Sequence, residues 1–174
     1  LAAYASAGVH GCISRALDFM GLGAETLRLI PADAAHRMDV GALQRRIADD
    51  RAAGIAPFAL IGSAGTVDVG AVDDLGALAD VAAREGMWFH VDGALGALAV
   101  LSPALAPRFA GIGRADSLAL DFHKWMSVQY DCGLLLMRDE ARQRAAFAAR
   151  PAYLEPHHVR LAGGDPWFCD YGID

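Results

Sequence analysis

Short apolar runs alternate along the chain with longer stretches in which apolar positions recur every three or four residues. That alternation of strand-like and helix-like patterns is the sequence sign of an α/β layer architecture. The first residues already run into a helical pattern, and residues 11–21 read as a helix stopped by Gly21 and Gly23. Residues 26–30 then form a short predicted strand ended by Pro31. Asp39 is placed to cap an amphipathic helix whose apolar face carries Leu43 and Ile47. After Gly54, the wholly apolar run from Phe58 to Ile61 has the character of a buried strand in a parallel sheet. The cycle repeats: Asp73 and Asp74 precede a helix with Leu75, Leu78, Ala79 and Ala82, closed by Gly86. Met87 to Val91 is the next strand, ending in Asp92, and a loop with Pro103 and Pro107 leads to a strand at 117–120. A further strand at 134–137 and a polar-faced helix at 139–148 complete the pattern. From Arg150 onward proline, glycine and paired histidines dominate, which reads as a long loop.

Ligands of open α/β sheets sit beyond the carboxyl ends of the strands. Three polar groups fall there: Ser63 to Thr66, Asp92, and the His123-Lys124 pair. An acidic side chain ending a buried strand is costly unless a cation or donor meets it. A lysine held between an imidazole and an indole, as in His123-Lys124-Trp125, can lose its proton and act as an amine nucleophile. Taken singly, a strand-end aspartate is as often a loop cap, and a lysine is most often a solvated surface charge. Taken together they answer one demand: pyridoxal phosphate needs a lysine for its aldehyde, an acid facing its ring nitrogen, and a flat partner for its face.

Charge and composition remove several alternatives. A formal charge of −6 and a pI near 5.4, without a Lys/Arg-rich run, argue against a nucleic-acid surface. The longest apolar stretch, around Ala94 to Leu101, is far short of the ~20 residues of a membrane helix. Cys12, Cys132 and Cys169 are widely spaced and suggest neither a disulfide framework nor a zinc site, so no metal is expected. No signal-peptide pattern is visible, so cytoplasm is the expected location. A start at Leu1 and an end at Asp174 without a capping signal suggest part of a longer protein, truncated at both ends.

Several segments in combination resemble the group II pyridoxal-phosphate-dependent amino-acid decarboxylases, the family of the aromatic-amino-acid, histidine, tyrosine and glutamate decarboxylases. They are Gly65-Thr66, His90-Val91-Asp92-Gly93-Ala94, Ala115-Asp116-Ser117 and Asp121-Phe122-His123-Lys124-Trp125, with Asp73-Asp74-Leu75 and Tyr130-Asp131-Cys132 as flanks. Lys124 follows Asp92 by 32 residues, the spacing of the aromatic-type members. The resemblance implies the large cofactor-binding domain of the fold-type I (aspartate aminotransferase-like) enzymes, a mostly parallel sheet flanked by helices. Residues 1–148 would be a partial large domain, and 149–174 a mobile catalytic-loop segment. It further implies pyridoxal 5'-phosphate as cofactor and a homodimer in the full-length protein. The implied reaction turns an L-amino acid, with aromatic ones favoured, into the amine and carbon dioxide.

The implied roles follow position by position. Lys124 would form the Schiff base, Asp92 would pair with the ring nitrogen, and Ala94 would pack beneath the ring. His10 would stack on the other ring face, His123 would help hold the phosphate, and Thr66 would line the site near the ring. Tyr153 falls where aromatic-type members carry a loop tyrosine that returns a proton to the α-carbon; relatives with phenylalanine there tend toward aldehyde formation. Asp121 stands where animal relatives have an asparagine that contacts phosphate, and a carboxylate beside a phosphate is repulsive unless a cation intervenes, so Asp121 receives no phosphate role. Phe122 replaces a common proline, and Val67 a common second threonine. The family's phosphate-binding turn precedes its stacking histidine and would lie upstream of Leu1. Other fold-type I activities (aldehyde synthase, aminotransferase or desulfurase) and a non-catalytic unit retaining the fold stay open as alternatives. A Rossmann nucleotide site does not, because no Gly-x-Gly-x-x-Gly turn follows an early strand.

Overall fold

The computed structural model describes residues 1–147. They belong to two compact units, Leu1–Leu136 and the described part of Met137–Asp174. The first is built on a sheet of six strands: β1 (Ala2–Ser6), β2 (Leu27–Ile30), β3 (Pro57–Ser63), β4 (Trp88–Asp92), β5 (Ser117–Asp121) and β6 (Gly133–Met137). Their spatial order is β2-β1-β3-β4-β5-β6, and every pairing from β2 through β5 is parallel. Three helices make the crossovers between successive strands: α1 (Cys12–Phe19), α2 (Val40–Ala52) and α3 (Leu75–Glu85). Three short 3-10 turns connect β4 to β5, and the single-turn helix α4 (Phe122–Trp125) follows β5 directly. In the second unit α5 (Glu140–Phe147) is a polar helix with an Arg144–Glu140 ion pair of 2.9 Å one turn apart.

The opening residues correct the sequence reading. Ala2–Ser6 is not helical; it is a strand buried along its whole length, paired on both sides by β2 and β3. Alanine is the strongest helix former and offers no β-branched signal, so Ala-Ala-Tyr-Ala-Ser conceals a strand that only its neighbours impose. Its side chains alternate between two cores, as strand geometry requires. Ala2 and Tyr4 join the larger cluster with Leu43, Ile47, Leu75 and Leu78 of α2 and α3. Ala3 and Ala5 join the smaller one with Leu17 of α1 and Ile61 of β3.

Helix starts follow local chemistry. Asp39 accepts the Ala42 N–H at 2.9 Å and Asp74 accepts that of Ala77 at 3.0 Å, each capping the helix it precedes. Gly86 closes α3 in the left-handed conformation, φ 68°. Asp73, read only as preceding a helix, does something else. Its buried carboxylate accepts the N–H of Met38 at 2.7 Å and of Ser63 at 2.8 Å. It thereby ties the entry of α2 and the end of β3 to the start of α3. Burial pushes this carboxyl up from its ordinary value, opposed by those two backbone donors.

A second buried carboxylate, Asp50, accepts the Tyr4 hydroxyl at 2.9 Å and the Nε of Arg46 and Arg28 at 3.2 and 3.3 Å. Burial alone would raise it, but these donors hold it below the usual carboxylate range. Among the described residues no helix is long and apolar enough to cross a membrane.

Replacing Asp73 by alanine strands two buried backbone N–H groups. The expected cost is about 3 kcal/mol of unfolding free energy, read as a lower urea midpoint at unchanged slope in the full-length protein.

Candidate active site

The sheet reverses direction beside β1: the chain runs from β1 to β2 on one side, then returns to β3, β4 and β5 on the other. Such a switch point opens a crevice at the carboxyl ends of the strands. There lies a cavity of about 360 Å³. Its wall is supplied by the segments after four strands. Gly8, His10 and Cys12 follow β1; Ser63, Gly65 and Thr66 end or follow β3; Asp92 and Ala94 end or follow β4; Asp121 and Lys124 end or follow β5. Two loops approach closely at its base, where Gly65 has φ 103° and a Cβ there would stand 2.9 Å from the Gly96 Cα. A side chain at position 65 would be strained on both counts.

The described site residues have definite partners. Lys124 Nζ lies 2.8 Å from Asp121 Oδ2. Asp92 Oδ1 accepts the Ala94 N–H at 3.1 Å, turning the chain sharply at the strand end. His10 Nδ1 accepts the Cys12 N–H at 3.3 Å, so the neutral ring carries its proton on Nε2. Thr66 is buried, and its Oγ1 accepts the Ala71 N–H at 3.1 Å. Burial, then the nearby Asp92 carboxylate, push the Cys12 thiol up.

The expected set therefore divides. His10, Thr66, Asp92, Ala94 and Lys124 share one cavity wall. His123 is not part of that wall: its Nδ1 accepts the Cys132 N–H at 3.1 Å and its ring meets Tyr130 edge to face at 4.4 Å. Tyr153 lies outside the described residues. Asp121, given no role from sequence, lines the cavity as the partner of Lys124.

His90 was also passed over. It stands two residues before Asp92, hence on the same face of β4, and lines the cavity. Its Nδ1 is 2.8 Å from Ser117 Oγ, which accepts the Trp88 indole N–H at 2.9 Å. Strand alternation from Asp92 was the signal that could have found it. Lys124 also had an unused signal: it is the only lysine in the sequence, every other basic side chain being arginine or histidine.

A pyridoxal-dependent decarboxylase conserved-domain model matches residues 1–168. The chain belongs to the pyridoxal-dependent decarboxylase family. It is 39% identical over 160 residues to aromatic-L-amino-acid decarboxylase of Bacillus atrophaeus, covering 92% of this chain and 33% of that protein. It is 40% identical over 139 residues to cysteine sulfinic acid decarboxylase of Mus musculus, covering 80% and 28%. A solved structure of Oryza sativa TDC with PLP and tryptamine superposes with a TM-score of 0.85 at 34% identity, over 90% of this chain and 32% of that one. The fold is that of the pyridoxal-phosphate decarboxylases, as the sequence resemblance implied, and the chain spans about a third of the length of these relatives.

The donor set fits the family's cofactor: an amine for an aldehyde, a carboxylate for a basic ring nitrogen, and an imidazole and a small alanine for the two ring faces.

Burial holds the His90 imidazole below its ordinary 6.5, with the Asp92 carboxylate opposing. The folded ring stays neutral while the unfolded one takes up a proton, so this residue costs stability as pH falls below 6.5. His90→Gln should lessen the drop in urea midpoint between about pH 7.5 and about pH 5.5.

Proposed function

We propose that this chain carries the cofactor-holding part of an enzyme that decarboxylates an L-amino acid, aromatic by preference, to the amine and carbon dioxide. The observation that carries the reading is the gathering of Asp92, Lys124, His10 and Ala94 around one cavity at the sheet's switch point. When bound, pyridoxal phosphate supplies the electron sink that accepts the pair released as the carboxylate leaves the α-carbon.

The remaining work falls to the chain's own groups. Lys124, at the β5 side of the cavity, would offer Nζ to the cofactor's aldehyde. Asp92, at the end of β4, keeps a proton on the ring nitrogen, which a carboxylate does well in a partly buried site. His10 would cover one ring face and Ala94 would leave room at the other, with Thr66 lining the β3 side. His123 keeps a structural place beside Cys132 and Tyr130, and a hand in phosphate binding would come through the loop it orders. Tyr153 returns a proton to the α-carbon after carbon dioxide departs, the general-acid step that completes the amine.

The sequence similarity to decarboxylases of aromatic amino acids and of cysteine sulfinic acid supports the reaction more strongly than the substrate. The aromatic preference rests on the spacing of Asp92 and Lys124 and on Tyr153.

Full-length protein should show the absorbance band of a lysine-bound cofactor and release amine and carbon dioxide in equal amounts. Lys124→Ala should abolish both; a wild-type protein with no such band, or one that releases sulfide or a keto acid, would overturn the reading. Tyr153→Phe should lower amine yield at least about tenfold, as expected for loss of a general acid, and raise aldehyde and ammonia in its place, with dissolved dioxygen as the oxidant. Chromatography of the products from an aromatic L-amino acid separates the two outcomes.

A further inference from the structure

One close contact in the cavity wall is not used by the chemistry just described. Lys124 Nζ and Asp121 Oδ2 are 2.8 Å apart, three residues from each other across the junction of β5 and α4. Asp121 ends the strand in extended backbone, φ −122° and ψ 102°, and its carboxylate caps no N–H of the turn that follows. Behind it is β6, where a Cβ on Gly133 would stand 3.4 Å from Asp121 Oδ1. His123 Nε2 is 3.9 Å from the same Oδ2 and its Nδ1 is occupied by Cys132. The other carboxylate of the cavity, Asp92, turns one oxygen to the Ala94 N–H. Asp121 is therefore the anion that sets where the lysine amine sits.

The setting makes that matter. The turn bearing Lys124 lies at the surface of the described chain, with Trp125 65% and Met126 48% exposed beside it. A lysine has a long flexible stem, and from such a turn its amine can swing outward. We propose that Asp121 is a positioning residue for the reaction: its carboxylate holds the Lys124 amine inside the cavity, where the cofactor's aldehyde meets it. This rests on the reading of Lys124 as the cofactor lysine. Because both side chains keep some exposure, 39% and 23%, the pair is weak enough to open when the amine is needed.

The test measures the amine itself and needs no loaded enzyme. Full-length protein, stripped of cofactor with hydroxylamine, is methylated with formaldehyde and a borane reductant, and the rate at Lys124 is followed by peptide mass spectrometry. Asp121→Asn should raise that rate about two- to fivefold, the range expected for a partly exposed pair. Asp121→Glu, which restores the charge, should stay near wild type. In wild type, added potassium chloride should bring the rate toward that of the asparagine variant, because salt screens the pair; the variant itself should be insensitive. A loop merely loosened by substitution would not produce this salt contrast. Equal rates in wild type and Asp121→Asn, or an equal response to salt, would overturn the proposal. Should the asparagine variant fail to fold, a wild-type rate that ignores salt overturns it alone. A missing cofactor band in untreated wild type would overturn the reading of Lys124 instead, and the two failures stay distinguishable because methylation does not depend on that band.

Discussion

The architecture depends on a strand buried on both faces. β1 lies between β2 and β3, and both neighbours pair with it in parallel. Its small side chains let helices pack over both sides, while Tyr4 reaches beyond them to Asp50. Were β1 absent, the sheet would lose its reversal of strand order, and with it the crevice into which four strand ends open. The same strand delivers Gly8 and His10 to that crevice. Packing and chemistry are thus set by one five-residue segment.

Four aspartates show how a protein separates scaffold from site with a single residue type. Asp73 and Asp50 are nearly inaccessible and each is met by two or three donors. Such carboxylates are closed off from solvent, and they hold segments together. Asp92 and Asp121 sit at strand ends on the cavity wall, with one backbone donor and one lysine respectively. Their unfilled acceptor capacity faces a space large enough for a small molecule. Burial marks the first pair as structural, and a place on the cavity wall marks the second as available.

Much of this was legible in the sequence, for identifiable reasons. β2 to β5 announced themselves by apolar runs bounded by turn residues, and α2 and α3 by Asp39 and Asp74 at their caps. Asp92 and Lys124 stood out because strand ends are where α/β sheets place ligands. β1 did not, since alanine carries a helical signal that the sheet overrides. Asp73 was indistinguishable from its neighbour Asp74 in sequence; only the fold brings Met38 and Ser63 to it. The direction of His123 was beyond reach for a similar reason, because adjacent residues on a single helical turn point apart and only Lys124 turns inward.

The charge inside the cavity limits which part of a cofactor it can face. Among the described residues that line it are two carboxylates, and the one lysine among them is already paired with one of these. A phosphate brought against this wall would meet repulsion from Asp121 at short range, and in a partly buried site that repulsion is poorly screened. The wall is therefore suited to the ring end of a pyridoxal-type cofactor, with its cationic nitrogen and its aldehyde, and not to the phosphate end. The phosphate of such a cofactor would need donors from backbone N–H groups or from cations outside the cavity lining. That division has a physical logic. A cationic ring nitrogen is favoured beside a carboxylate and a phosphate beside cations, and separating the two in space lets each keep the field it requires.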